Sequence, residues 1–516
     1  MKDNVKRLYK NTNEFFKEKL VKIKNIQFEN YIFDYKKLIK PAVILLIIYL
    51  LATYPIIRAN FNYIDDFGRV LSGYRGWDDF SRYTNQFLSI IIHTSTYMAD
   101  ISPLPQLIAV IFLVLASIIV LYTFKNGEKY SVFYILAALP IGLCPYFLEC
   151  LSYKFDAPYM ALSIFVSTLP LLFSKMDNKK DIFKYCVMSI IGTIIMCTTY
   201  QASSGMYPVL VLFLSFKMWK EKDDKSAIKL IITSGISYII GLLIFKFFIV
   251  TTVSSYVSST FLDMREVLKG SINNIITYYE YVQNDFRSIW ILLIQLIGIS
   301  FILVNTLESK RNKIISFFIS TAVFILALTL AFGLYPALDK PLFAPRAMYG
   351  IGMVIALLCL NSTNTTKKYS IIPKFLVLML SGMFFVFAFV YGNGLSEQKR
   401  FTEYRIEQVV DSLNELEVLK DNNEPKTKLN VVGDIGKSPV LSNTINVYPL
   451  LERLIPNTFG EKWVWAYFQF YNYFGLNKNY LDAAQEDWSN LRLPVIEETM
   501  NYTIRGNKNN ILVILK

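Results

Sequence analysis

The chain has 516 residues, of which 53% are hydrophobic and only 18% are charged, and its mean hydropathy is +0.37. A water-soluble domain carries about a quarter charged residues, so this composition argues against a soluble enzyme, a disordered chain and a nucleic-acid-binding protein. The single histidine, His93, excludes a multi-histidine metal site, and the five cysteines lack the CxxC spacing of a zinc site.

Eleven apolar segments are candidates for membrane-spanning helices, since a bilayer core needs about 20 apolar residues of helix. They cover roughly 39–57, 103–124, 130–149, 157–174, 184–200, 204–219, 228–253, 288–306, 314–334, 345–361 and 371–391. The first has no small-residue cleavage site and follows a polar tail, so we interpret it as a retained span. The predicted fold class is an all-α polytopic membrane protein with about 11 transmembrane helices and a small C-terminal α+β module.

The distribution of lysine and arginine predicts the orientation of these spans. Residues 1–40 contain eleven Lys+Arg and five Asp+Glu, and every second loop after them is basic. The richest of these loops contains Lys217, Lys220, Lys222, Lys225 and Lys229. We therefore predict a cytoplasmic basic tail at 1–38, a membrane domain at 39–391 and an extracytoplasmic C-terminus. The formal net charge of +13 is then an orientation signal and not a nucleic-acid footprint.

Residues 392–516 form the predicted extracytoplasmic module, with fourteen Lys+Arg and sixteen Asp+Glu. Its first segment, EQKRFTEYRIEQVVDSLNELEVL, has the periodicity of an amphipathic helix. LNVVGDIG and the terminal ILVILK are typical of strands, and the aromatic WVWAYFQFYNYFGL is predicted to lie on the membrane surface. In the long outer loop 58–102, QFLSIIIHTSTYM is too short to span and is predicted to be an interfacial helix.

The most informative candidate site is the acidic pair Asp65-Asp66 in that loop, eight residues after the first span. Adjacent carboxylates repel, which raises one pKa, and such a carboxylate at the membrane surface is suited to act as a general base. The alternative is an ordinary solvated loop in which the acids pair with arginine, and we favour that alternative for Asp78-Asp79.

Other polar residues at predicted outer helix ends are candidates for substrate binding, because charges at membrane depth are costly unless paired or used. They are Arg69, Arg82, Glu149, Lys154, Asp156, Tyr200, Gln201 and Arg346. For Arg69 the alternative is an ion pair within its own helix. For Glu149, Lys154 and Asp156 it is a lysine–carboxylate pair, and for Arg346 it is a headgroup anchor.

The segments YIDDFGRVLSGYRGWDDFSR, ADISPLPQLIAVIFLVLA, APRAMYGIGMVIAL and YGNGLSEQKRFTEYR resemble bacterial O-antigen glucosyltransferases of the glucosyltransferase II type. The resemblance covers most of residues 40–480. It implies a membrane glycosyltransferase of the GT-C class in the bacterial plasma membrane. It also implies a polyprenyl-phosphate-linked hexose as donor, usually glucose, and a cell-surface glycan as acceptor on the outer face. The essential acid of the GT-C pattern carries over to Asp65 or Asp66.

The partners implied are the lipid-linked donor, the glycan acceptor, the bilayer, a small flippase and a cytoplasmic polyprenyl-phosphate glucosyltransferase. No cofactor is expected. A divalent cation at Asp65-Asp66 remains an alternative, but the loop has no DxD spacing and arginines lie nearby, so we favour a metal-independent reaction. Competing functions are a flippase for lipid-linked sugars, a polymerase or ligase of whole oligosaccharides, and a non-catalytic scaffold. A flippase is typically built from internal repeats, and none is visible in this sequence.

Overall fold

The structure is a computed structural model that describes residues 35–125, 130–251, 260–364, 367–416, 428–460, 488, 491–507 and 509–516. The predicted basic tail lies almost entirely outside these residues, as does the aromatic segment at 463–476. The helices are α1 Tyr35–Ala59, α2 Asp66–Ser72, α3 Tyr83–His93, α4 Leu104–Phe124, α5 Val132–Leu136, α6 Pro140–Leu143, α7 Phe147–Ser152, α8 Ala157–Thr168, α9 Lys179–Thr199, α10 Met206–Lys220, α11 Asp224–Ile244, α12 Val267–Asp285, α13 Ser288–Glu308, α14 Lys313–Leu330, α15 Gly350–Thr363, α16 Ile371–Glu415, α17 Pro439–Ile445 and α18 Leu451–Leu454.

Seven helices in the described part of the chain are long and apolar enough to cross a membrane. They are α1, α4, α9, α11 with its extension to Ile249, α13, α14 and α16. Helix α1 shows why: Ile39, Val43, Ile47, Leu51 and Tyr54 form an exposed apolar stripe at helical spacing, while its other face is buried. Exposure of such an apolar stripe to water is unfavourable, whereas its contact with lipid is not.

The remaining predicted spans are shorter helices, and most of their residues are buried. Segment 130–149 is divided among α5, α6 and α7, whereas α8, α10 and α15 have 12, 15 and 14 residues. A helix that is apolar on all sides belongs in a protein interior, and α15 is buried along nearly its whole length. The membrane character of the fold is therefore clear, while the count of eleven spans stays a prediction.

The predicted cytoplasmic loops meet at one end of the helical bundle. Lys217 donates to the carbonyls of Thr123 and Lys125 at 3.0 and 3.1 Å, which joins the end of α10 to the end of α4. Lys220 donates to Asn305 of α13 at 2.8 Å, and Arg311 donates to the carbonyl of Trp219 at 2.7 Å. The basic loops thus share one end, and the long loop 58–102 lies at the other.

Helix α16 connects the bundle to the C-terminal sheet without a break. Its 45 residues extend for about 67 Å, roughly twice the thickness of a bilayer core. The predicted amphipathic helix after residue 391 is the second half of α16, so the proposed domain boundary falls inside one helix. Ile406, Val409 and Leu413 near its end pack against the sheet.

The sheet has four strands, β1 Lys428–Val432, β2 Val495–Glu498, β3 Tyr502–Gly506 and β4 Asn510–Leu515, in the order β1-β4-β3-β2. Strands β1 and β4 are parallel, with Val431 opposite Val513, and the other pairs are antiparallel. Both strands predicted from the sequence are present, and a small α+β unit follows the membrane helices as expected.

Candidate functional site

The acidic pair begins a short helix in loop 58–102, the first of the predicted outer loops, and we keep the word outer as a name for the loops at this end of the bundle. Asp65 precedes α2, and the helix ends at Gly73, whose φ of +62° is a left-handed conformation that glycine adopts without strain. The Gly73 N–H donates to the carbonyl of Arg69 at 2.8 Å and closes the last turn. This compact helix holds Asp65, Asp66 and Arg69 in fixed relative positions.

Asp66 is fully buried and connects two outer loops. Its Oδ2 accepts the backbone N–H of Tyr63 at 2.9 Å and that of Lys154 at 3.0 Å, whereas its buried Oδ1 has no hydrogen-bond partner among the described residues. Burial raises the pKa of Asp66 to about 7, although both hydrogen bonds act in the opposite direction. These contacts make Asp66 an anchor between the first and second outer loops.

Asp65 has a different environment, although it is the adjacent residue. It is partly exposed, and no described residue forms a hydrogen bond or ion pair with its carboxylate. Burial raises its pKa, the charge of Asp156 adds to that effect, and the charges of Arg69, Arg346 and Arg82 oppose it. Asp65 is thus a carboxylate within electrostatic reach of three arginines.

Arg69 forms an ion pair with Asp156 of the second outer loop, and both side chains are 5% exposed. The expected alternative, an ion pair within α2, is wrong because Arg69 reaches across to the other loop. Trp77 completes the arrangement, since its indole N–H donates to Asp156 at 2.5 Å and its ring lies 4.5 Å from the Arg69 guanidinium. Arg69 and Asp156 therefore hold the two loops together.

Glu149 binds Arg346 through both the side chain and the backbone. Its Oε1 accepts from the guanidinium at 2.8 Å, and its Oε2 accepts from the Arg346 backbone N–H at 2.5 Å. Glu149 is 2% exposed, whereas the Arg346 side chain is 16% exposed. These two contacts to one buried carboxylate fix the orientation of the Arg346 guanidinium and of the backbone that carries it.

Lys154 has its own partners at the outer ends of α1 and α4. Its ammonium donates to Asn62 at 2.7 Å and to Asp100 at 3.0 Å. Lys154 therefore forms a lysine–carboxylate pair, as the alternative expected, but its partner is Asp100. Glu149 and Asp156 pair with Arg346 and Arg69 instead. Lys154 also lines a cavity of about 240 Å³, together with Ile56, Gln106, Ser152 and Leu395.

Arg82, Tyr200 and Gln201 connect the first outer loop to the third. Arg82 donates to Gln201 at 3.3 Å and lies 4.7 Å from the centre of the Tyr200 ring, while Gln201 donates to the Phe80 carbonyl at 3.2 Å. The buried hydroxyl of Tyr200 has no partner among the described residues. The candidate residues thus lie in several contacts that join the first outer loop to the second and third, and we call these contacts the outer-loop network. Asp78 and Asp79 are exposed.

The sequence analysis missed several members of this network. Asp100 and Trp77 are isolated residues in a long loop, and only the fold shows that they hold Lys154 and Asp156. The Arg346 guanidinium lies 5.9 Å from the centre of the Tyr153 ring. In the sequence, only the position of Tyr153 next to Lys154 points to this residue. Among the described residues, no group of three or more His, Cys, Asp or Glu side chains could hold a metal ion.

Comparison with known proteins connects this network to a family. The family model described as glucosyl transferase GtrII matches residues 54–357, a range that contains every candidate residue. The chain is also similar to a Salmonella phage P22 protein, described as an uncharacterized 55.3 kDa protein in the gtrB 5' region. The two are 24% identical over 429 residues, which cover 80% of this chain and 86% of the phage protein. No solved structure matches the chain.

The raised pKa of Asp66 predicts a pH-dependent stability. Between about pH 4 and pH 7 the unfolded carboxyl is ionised while the buried one holds its proton, so stability falls as pH rises through this range. Asp66→Asn removes this titration. The stability of the wild type relative to Asp66→Asn should fall by roughly 2–3 kcal/mol between pH 5 and pH 8. Melting of purified protein at both pH values measures this, and the exposed Asp78→Asn is the control. If the stability difference between wild type and Asp66→Asn were the same at both pH values, Asp66 would not be protonated in the folded protein at pH 5 and ionised at pH 8.

Proposed function

The chain belongs to the glucosyl transferase GtrII family, and from this membership and the outer-loop network we propose the following reaction. The protein transfers a hexose, glucose by preference, from a polyprenyl-phosphate carrier to a cell-surface glycan such as O-antigen, on the outer face of the membrane. The observation that carries the proposal is Asp65, a carboxylate without a side-chain partner among the described residues and within reach of three arginines. The overall architecture assumed for it is that of the GT-C class.

Asp65 is the proposed general base. The acceptor hydroxyl attacks the anomeric carbon, its proton passes to Asp65, and the bond between that carbon and the phosphate oxygen breaks. The lipid phosphate leaves with the electron pair and gains negative charge. The raised pKa of Asp65 favours this role, because a base works best when its pKa is near the operating pH. Asp66 keeps the loop in place through its two backbone contacts.

Arg346 is the proposed ligand of the donor phosphate. It is oriented by Glu149 and sits at the opening of α15 among apolar neighbours, which reduces screening by water. A guanidinium binds phosphate through two parallel N–H groups and stabilises the departing charge. Arginine in this position supplies the positive charge that a divalent cation would otherwise supply, and we therefore propose a metal-independent reaction.

The remaining network residues have proposed supporting roles. Arg69 and Asp156 maintain the loops, whereas Lys154, Arg82, Tyr200 and Gln201 contact the sugar or its phosphate. The acceptor enters from the outer side, and the donor arrives with its lipid chain in the outer leaflet. A small flippase and a cytoplasmic polyprenyl-phosphate glucosyltransferase are the proposed partners that would make and deliver this donor.

With the N-terminus inside, a C-terminal unit on the outer face requires an odd number of spans. We propose that the short buried helices complete eleven crossings within the protein interior, with the N-terminus inside and the C-terminus outside. Lysines gather at one end of the bundle and the candidate site lies at the other, which supports this orientation under the positive-inside rule.

Replacement of the proposed base should abolish transfer. Asp65→Asn is expected to lower turnover by about 10²–10⁴-fold at normal protein levels, since a general base contributes a factor of that size. Glycan analysis of a deletion strain complemented with each variant measures this, and the exposed Asp78→Asn is the matched control. Near-normal transfer by Asp65→Asn, Asp66→Asn and the double variant would remove the pair from the mechanism.

Replacement of Arg346 should weaken use of the lipid-linked donor. Arg346→Ala is expected to lower turnover at low donor concentration by about 10–100-fold, the equivalent of one lost charge-assisted hydrogen bond. Arg346→Lys keeps a cation for Glu149 but lacks the two parallel N–H donors of a guanidinium, so it should restore only part of the lost turnover. Lys340→Ala, an exposed cation in the same loop, is the control. Wild-type turnover in Arg346→Ala would contradict the role of Arg346 as phosphate ligand. Lys154, which lines the cavity, would then be the next candidate for that role.

A reporter fusion tests the topology. A reporter that is active only in the cytoplasm should be silent when it is fused after Lys516 and active when it is fused before Met1. Activity at both ends would mean an even number of crossings, and the C-terminal unit would then lie inside.

A further inference from the structure

Residues 450–455, a short turn in the C-terminal part of the chain, belong to the hydrophobic core of the helical bundle. Leu450, Leu451, Leu454 and Ile455 are each 0% exposed and pack in the same hydrophobic cluster as the long helices. The residues of the C-terminal sheet form a separate cluster with the end of α16. After α16 has left the bundle, the chain therefore returns to it and inserts this turn, which includes α18. Leu441 of α17 belongs to the same cluster.

One side of the turn contacts the loop of the acidic pair. The hydroxyl of Tyr63 donates to the carbonyl of Leu454 at 2.6 Å, and the backbone N–H of the same tyrosine donates to Asp66 at 2.9 Å. Tyr63 is 1% exposed and its ring lies 4.7 Å from that of Tyr153. Since Tyr63 precedes Asp65 by two residues, the turn fixes the start of the helix that carries the proposed base.

The other side of the turn contacts the loop of Arg346. Arg453 forms an ion pair with Asp285 at the end of α12, and a second nitrogen of its guanidinium donates to the carbonyl of Phe343. Asp285 is 3% exposed and also accepts from the hydroxyl of Tyr146 at 2.7 Å. Phe343 precedes Arg346 by three residues, so Arg453 fixes the backbone that leads to the proposed phosphate ligand.

We propose that residues 450–455 act as a clamp that sets the position of Arg346 relative to Asp65, with Arg453 as the positioning residue. The proposal rests on the roles given above to Asp65 and Arg346. Neither side of the clamp touches substrate. Its effect is geometric: the base and the phosphate ligand lie on loops almost three hundred residues apart, and one turn binds both loops.

Arginine is required at 453 because its two contacts diverge. The planar guanidinium reaches Asp285 with one nitrogen and the Phe343 carbonyl with another. A lysine has a single nitrogen on a flexible stem, so it can neutralise Asp285 but cannot hold both groups in a fixed geometry. Arg453→Lys therefore separates the two functions, because the buried carboxylate keeps a cation while the loop contact is lost.

The test measures donor kinetics of full-length Arg453→Lys in lipid nanodiscs. We expect kcat to fall at least about tenfold, since a displacement of about 1 Å in reacting groups costs up to 10²-fold, while the melting temperature stays close to wild type. Arg400→Lys is the control, an arginine of the same tail that is 77% exposed and paired with Glu397. In combination with Arg346→Lys, the two losses should be less than multiplicative, because Arg453 acts through Arg346.

Amide hydrogen exchange in the same proteins gives a second readout that does not depend on activity. Arg453→Lys should speed exchange in 341–349, and Tyr63→Phe should speed it in 61–69. Unchanged exchange in both variants overturns the clamp, whether or not the wild type proves to be a transferase. Faster exchange with wild-type kcat, or strictly multiplicative losses in the double variant, also overturns the positioning role. If the wild type transfers no hexose, the proposed function fails, and the exchange rates still decide whether the turn holds the loops.

Discussion

The buried ion pair between Arg69 and Asp156 is the interaction on which the outer end of this protein depends. Both side chains are 5% exposed, and loss of one partner from such a pair costs about 3–5 kcal/mol because the remaining charge is left without compensation. Trp77 covers the pair and donates to its carboxylate. The two outer loops that contain these residues are therefore held in one relative position. Asp65 and Asp66 are fixed with them, because they belong to the same short helix as Arg69.

A buried charge needs a partner, and this requirement also applies to the neighbouring charged residues, whose partners lie on other loops and not on the same helix. Glu149 binds Arg346, Lys154 binds Asp100, and Arg82 binds Gln201, so each contact joins segments that are distant in the chain. Asp65 differs from these groups, because the charges of Arg69, Arg346 and Arg82 act on its pKa although none of the described residues forms an ion pair with it. A site in which charges are already oriented needs little rearrangement during a reaction, and this property supports the proposed transfer from a charged donor.

The helical bundle divides its helices between two environments. The seven long helices expose apolar stripes that suit contact with lipid, and their length matches or exceeds the bilayer core. The shorter helices α8, α10 and α15 lie inside, where protein and not lipid surrounds them, so their length is set by packing. The segments that directly precede these three helices contain Asp156, Gln201 and Arg346, so the starts of the short helices contribute to the candidate site.

The sequence by itself determined the membrane class, the approximate helix positions, the basic loops and the C-terminal strands, and it marked Asp65-Asp66 as a candidate site. These features depend on local composition and periodicity, which are readable along the chain. Only the tertiary structure decided that Asp66, and not Asp65, joins two loops through hydrogen bonds. It alone decided that Glu149 binds Arg346 and not Lys154, and that Arg453 contacts the loop before Arg346. The physical reason is that a charged side chain pairs with whatever the fold brings near it. Partners separated by 88, 110 or 197 residues, as these are, leave no periodic signal in the sequence.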